Sequence, residues 1–288
     1  MTIDPSFLAE LDRFEAALDR ETTAVVQGEQ QSPRVGEGLT FSDYRRYAPG
    51  DDTRLIDWKL FARTEEFYIK QFEEERALTV HVLVDASASM DYGDGPRHKF
   101  EYGAKVGLGF AYLTAQAHND FRFNTFGEGV DRLDAGRSNR GEVLATIDQL
   151  NAMDPGGETD VEAALAAYAD RVRTRSLAVV VSDCLTDPDE VEAGVAALAR
   201  NEVDVLVVRV LSPDERDPDA VGDTLFVDPE TEAERRSYFS GSLAAQYRER
   251  LEEHVETVSD RVTALGADHV QLDTGGDFFD GFARVWLE

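Results

Sequence analysis

"VLVDASASM", residues 82–90, passes without a break from an apolar run into small oxygen-bearing side chains. The run starts at Thr79, and its spacing predicts a strand over 79–84. A nearly continuous apolar strand is one covered on both faces, as in a parallel sheet. Upstream, EFYIKQFEEER (66–76) reads as another strand. Downstream, helix and strand alternate. Helices are predicted over 98–117, 139–153, 160–175, 187–201, 241–266 and 278–287, and strands over 120–127, 176–184, 203–211 and 268–274. A hairpin is expected over 224–238, turning at Asp228-Pro229. This order predicts an α/β fold: a doubly wound, mostly parallel sheet with helices on both faces.

Local signals sharpen some boundaries. Asp187, Pro188 and Glu190 have the spacing of N-cap, N1 and N3. Thr159 with Glu162 has that of a capping box. Gly103, Gly107 and Gly109 lower the helix propensity of 98–117. At the N-terminus Phe7, Leu8, Leu11, Phe14 and Leu18 follow helical spacing. The organisation expected is an N-terminal helix (1–24), a small β-containing module (25–76) and the α/β domain (77–288).

A net charge of -29 over 288 residues repels duplex nucleic acid and anionic membranes, so neither is expected as a partner. The only lysines are Lys59, Lys70, Lys99 and Lys105. Such acid-rich, lysine-poor chains are typical of salt-loving cells, and a haloarchaeal, halophilic origin is expected. The N-terminus lacks the basic and apolar regions of a signal peptide, and no run of apolar residues is long enough to span a bilayer. A cytoplasmic location is therefore expected. The single cysteine, Cys184, can form no internal disulfide and reads as a buried, inert thiol.

In an open parallel sheet, ligands sit at the carboxyl ends of strands. The strand 79–84 ends in Asp85-Ala86-Ser87-Ala88-Ser89, another ends in Ser182-Asp183, and Gly156-Gly157-Glu158-Thr159 precedes a helix. Asp85, Ser87, Ser89, Thr159 and Asp183 are all oxygen donors, which suits Mg2+ (or Mn2+). The D-x-S-x-S spacing lets alternate side chains point one way. Few charged ligands leave the ion electropositive, with a position for an incoming carboxylate. The capping box is a rival account of Thr159, and a loop acid in an acid-rich chain is the rival account of Asp183.

DASASM, with Thr159 and Asp183, resembles the metal-ion-dependent adhesion site of von Willebrand factor A domains. FSDYRRYAPGDDTRLIDWKLFARTEEFYIKQFEEER (41–76) followed by VHVLVDASASM resembles the signature of the prokaryotic family domain of unknown function 58. That resemblance implies a small module joined to an A-type domain. It also implies a non-enzymatic adaptor that works with a MoxR-type AAA+ ATPase, or its client, in assembly or maturation of other proteins. In that setting Ser87, Ser89, Thr159 and Asp183 would hold the ion, with Asp85 reaching it through water.

The alternative is a Mg2+-dependent phosphohydrolase with Asp85 as nucleophile, but Ser87 stands where such enzymes place their acid/base. No P-loop, no serine-hydrolase elbow and no zinc-binding histidine spacing is present. The charged, aromatic stretch 43–67 is expected to pair Asp43, Arg45, Arg46, Asp51, Asp52, Arg54, Asp57, Lys59 and Arg63 among themselves. Tyr44, Tyr47, Trp58 and Phe61 would hold the pairs in place and dock the module onto the metal-bearing domain.

Overall fold

The computed structural model describes residues 2–26, 39–47, 56, 58–64, 66–74, 78–172, 176–201, 203–218, 222–231 and 233–287. The chain divides into two units, Met1–Glu21 with Leu78–Glu288, and Thr22–Ala77.

The larger unit is built on a sheet of order β10-β7-β6-β3-β4-β5. Its strands are β3 (Thr79–Asp85), β4 (Asp120–Phe126), β5 (Val130–Arg132), β6 (Ser176–Ser182), β7 (Val203–Leu211) and β10 (Asp268–Asp273). All neighbours are parallel except β4 and β5. Burial explains the apolar runs. Val80, Val82 and Val84 of β3 enter one core cluster and Leu83 enters the other. In β7, Leu206, Val208 and Val210 face one cluster while Val203, Val205 and Val207 face the other. Alternate residues thus feed two apolar layers, which is what a doubly wound sheet demands.

One layer holds α3 (Lys99–Gln116), α4 (Arg140–Asn151) and α9 (Phe278–Trp286). The other holds α5 (Val161–Ala169), α6 (Pro188–Leu198) and α8 (Gly241–Ala264). The first helix, α1 (Phe7–Val26), contributes Phe7, Leu8 and Leu11 to the first layer. Phe7 meets Phe278 edge-on at 5.4 Å between centroids. The N-terminal helix, read from the sequence as a segment of its own, therefore begins as part of the larger unit's core. Ile3 reinforces it: its N–H donates to Asn151 Oδ1 and its carbonyl accepts from Asn151 Nδ2.

β3 turns toward β4 on one side, and the chain later returns to β6 on the other. The β3/β6 border is thus where strand order reverses, and its carboxyl ends form the crevice in which ligands of such sheets bind. Beyond β7, a short helix α7 (Pro213–Arg216) leads into the antiparallel hairpin β8 (Gly222–Val227) and β9 (Glu234–Phe239).

The smaller unit pairs β1 (Leu39–Arg46) antiparallel with β2 (Tyr68–Glu74), with α2 (Trp58–Thr64) between them. Phe61 stacks on Phe67 at 4.4 Å, and Tyr47 and Trp58 meet Phe67 edge-on. The exposed Arg46 guanidinium pairs with Glu66. The pairing expected of Asp43, Arg45, Asp51, Asp52, Arg54, Asp57 and Lys59 falls outside the residues and side chains that the structure describes.

Candidate functional site

Asp85 is the last residue of β3 and is 1% exposed. Its Oδ1 accepts from the Ser87 N–H at 2.9 Å and its Oδ2 from the Ser182 hydroxyl at 2.6 Å. This bond to its own chain turns the loop so that the Ser87 and Ser89 hydroxyls lie 3.0 Å apart. The next loop is stitched to the first: the Gly156 N–H donates to the Ala86 carbonyl, and the Ala88 N–H to the Gly157 carbonyl. Gly157 adopts φ 79°, a left-handed conformation that suits glycine.

Thr159 follows, and it is not the N-cap of α5. Asp160 caps that helix, its side chain accepting from the Ala163 N–H. The two residues are adjacent polar candidates, and the one-residue shift releases Thr159 from capping. Its Oγ1 is buried and has no hydrogen-bond partner among protein atoms.

Asp183 arrives from β6. Its Oδ1 accepts from the Leu185 N–H, and its Oδ2 accepts from the Lys99 ammonium at 2.7 Å. Lys99 is fully buried and also donates to Glu215 at 2.6 Å. Burial alone would push its ammonium down, but Asp183 and Glu215 outweigh it and hold the pKa above the usual range. Asp85 is pushed up to about 6, by burial first and then by the Asp183 charge. Cys184 is buried, and that burial raises its thiol to about 11, as an inert thiol requires.

Glu230 lies in the turn between β8 and β9, where the Asp228 carboxylate accepts from its N–H. Burial and the Asp183 charge raise its pKa. Hydrogen bonds join Asp85 to Ser87 and Ser87 to Ser89, backbone bonds hold the loop that carries Thr159 against Ala86 and Ala88, and the Asp183 charge acts on Asp85.

Sequence reasoning missed Lys99 and Glu215. Lys99 carried one signal, its rarity in a lysine-poor chain. Glu215 carried another, its place in the Ser212-Pro213-x-Glu215 capping box.

The donor set suits a small hard cation: hydroxyls and carboxylates only, one buried hydroxyl without a protein partner, and an Asp85 carboxyl whose pKa is raised by burial and by the Asp183 charge. Among the described residues no cluster of three or more His, Cys, Asp or Glu has metal-binding geometry.

Fold and crevice together define a von Willebrand factor A-like domain. The chain belongs to the family described as Protein of unknown function DUF58, matched over residues 43–257. An uncharacterized protein of Mycobacterium tuberculosis strain H37Rv is 27% identical over 284 residues, spanning 98% of this chain and 89% of that protein. Among solved structures, an aerotolerance-related membrane protein from Bacteroides fragilis matches with TM-score 0.46 and 12% identity, over 73% of this chain and 98% of that one. The VWA domain of SpRpn10 matches with TM-score 0.44 and 12% identity, over 72% and 94%.

These findings correct two expectations. A cytoplasmic location does not stand, because structural neighbours include a membrane protein, while no helix among the described residues is long and apolar enough to cross a membrane. The curated relatives are mycobacterial and give no support to a haloarchaeal origin.

Proposed function

We propose that this domain is a divalent-cation-dependent protein-binding adaptor and not an enzyme. Asp85, Ser87, Ser89, Thr159 and Asp183 would hold Mg2+ (or Mn2+). When bound, the ion supplies an electropositive point that accepts an acidic side chain of a partner. The observation that carries this reading is Thr159 Oγ1, a buried hydroxyl without a protein partner. A buried polar group left so costs free energy on the order of 1–3 kcal/mol, which an ion would relieve. Family resemblance points to a MoxR-type AAA+ ATPase or its client as the partner, in assembly or maturation of other proteins.

Calorimetry tests the site. Mg2+ or Mn2+ should bind the wild type, and Asp85→Ala and Ser87→Ala should abolish the heat; unaltered binding in both variants rejects it. Co-purification with a MoxR-type ATPase, with and without chelator, tests the partner. The phosphohydrolase reading is weaker, because Ser87 stands where such an enzyme would place its acid/base. Turnover of a chromogenic phosphate ester that is lost in Asp85→Asn would restore it.

A further inference from the structure

Arg209 lies within β7, between β6 and β10, and is fully buried. The strand sets its direction. Val203, Val205 and Val207 feed the layer that holds α8, and Arg209 continues that alternation. Its Nε, Nη1 and Nη2 are buried and have no hydrogen-bond partner among protein atoms.

The neighbours on that face bring no countercharge. Val207 and Leu211 flank Arg209 along β7, Ser182 stands opposite it on β6 and Gln271 on β10. Asp85, two strands away, spends its carboxylate on the Ser87 N–H and the Ser182 hydroxyl. Among the described residues no carboxylate accepts from Arg209. A guanidinium stays charged and offers five N–H donors with no acceptor. Withdrawing such a charge from water without a partner is strongly unfavourable. A water molecule can accept the N–H groups but leaves the charge uncompensated. An anion answers both needs.

The surroundings limit its size. A cavity of about 640 Å³ is lined by Leu211 and Gln271 of the sheet and by Leu251 and Val255 of α8. Arg209 lies between the first two, Leu211 along its own strand and Gln271 across on β10. The cations that line the cavity are already matched, Arg216 by Asp273 and Arg248 by Asp217. Arg209 is the unmatched one, and it is shut off from solvent. An ion that reaches it must shed its hydration and fit among side chains, which favours a small single charge over phosphate or sulfate. His269 shares this face of β10, since Val270 and Leu272 feed the opposite layer. Its Nε2 is also buried without a partner, and in one tautomer it is a further N–H donor.

We propose that Arg209 binds a small monovalent anion of the halide class in the layer between α8 and the β6–β7–β10 face. The ion is a structural part of that core and is independent of any cation at the β3/β6 crevice.

Thermal unfolding of the full chain in NaCl and in sodium gluconate, at matched ionic strength, tests this. Chloride that binds the folded state stabilises it by mass action, whereas gluconate is too large to reach a group shut off from solvent and supplies only screening. The wild type should melt several degrees higher in NaCl, and NaBr should act as NaCl does. In Arg209→Met, which keeps much of the side chain and removes the charge, the difference should vanish. Equal melting of the wild type in the two salts overturns the proposal. A difference that survives in Arg209→Met also overturns it, by placing the effect on the general surface. Should Arg209→Met fail to fold, the wild type decides alone: crystals grown in NaBr should show an anomalous peak beside the Arg209 guanidinium, and a map without one overturns the anion.

Discussion

Lys99 occupies the first turn of α3, where the helix dipole disfavours a cation, and it is shut away from water. Two carboxylates offset both costs. Removing the ammonium would leave Asp183 and Glu215 uncompensated, so Lys99→Met should lose about 3–5 kcal/mol in urea denaturation. Lys99→Met with Glu215→Gln should recover part of it; a double variant no better than the single one would show that charge is not the cause. His81 gives a pH signature. It is buried, its Nδ1 lies 2.7 Å from the Tyr168 hydroxyl, and burial first, then Arg122, lowers its pKa to about 4. A folded pKa below the unfolded value of about 6.5 means stability is present above that pH and is lost as pH falls toward 4, by roughly 3 kcal/mol. Asp85, raised to about 6, acts with opposite sign: its contribution is lost as pH rises through the same window. Comparing His81→Gln with wild type isolates the histidine. The variant should lose less stability between neutral pH and about pH 4.5, and an identical loss would refute the assignment. At this scale the sequence was only partly readable. Asp85, Ser87 and Ser89 stood out because their spacing is local. Thr159 was ambiguous, because its spacing to Glu162 fits a capping box as well as a ligand; the structure gives the cap to Asp160.

Among the elements, α3 shows why a helix can contain glycines that its propensity argues against. A Cβ on Gly107 would lie 2.7 Å from Val82 Cγ1 and 3.0 Å from Phe123 Cζ. A Cβ on Gly109 would lie 2.5 Å from the Phe282 ring. The helix therefore lies close on β3 and β4 at Gly107 and on α9 at Gly109. Gly107→Ala should cost roughly 1–3 kcal/mol by overpacking, despite the better helix former. Gly129→Ala, with nothing within 4 Å of the added carbon, should change stability by less than about 0.5 kcal/mol. Thermal unfolding of the two variants checks this, and equal melting temperatures would contradict it. β3, β6 and β7 were legible because both faces are buried and the code is a plain apolar run; β5, short and largely exposed, was not. The cap at Asp187-Pro188 was legible because its signal lies within three residues. The turn at Asp228-Pro229 was equally local, but the convergence of the β3 and β6 ends depends on strand order, which no local pattern carries.

Over the full chain the net charge is -29. Like charges at that density destabilise the compact state, and the repulsion is long-ranged at low salt, with a screening length of about 10 Å at 0.1 M against about 3 Å at 1 M. Raising NaCl over that range should therefore raise the melting temperature steadily, with no plateau at low concentration. A specific divalent ion acts differently. It stabilises by mass action, adding about 2.7 kcal/mol at a hundredfold excess over its dissociation constant. The two contributions separate at matched ionic strength. MgCl2 should raise the melting temperature of the wild type beyond NaCl, and Asp85→Ala should retain the NaCl response while losing the extra increment. A melting temperature flat in NaCl would mean the acidic surface is not tuned to salt. An increment that survives in Asp85→Ala would place the divalent effect on the general surface and not in the crevice between β3 and β6.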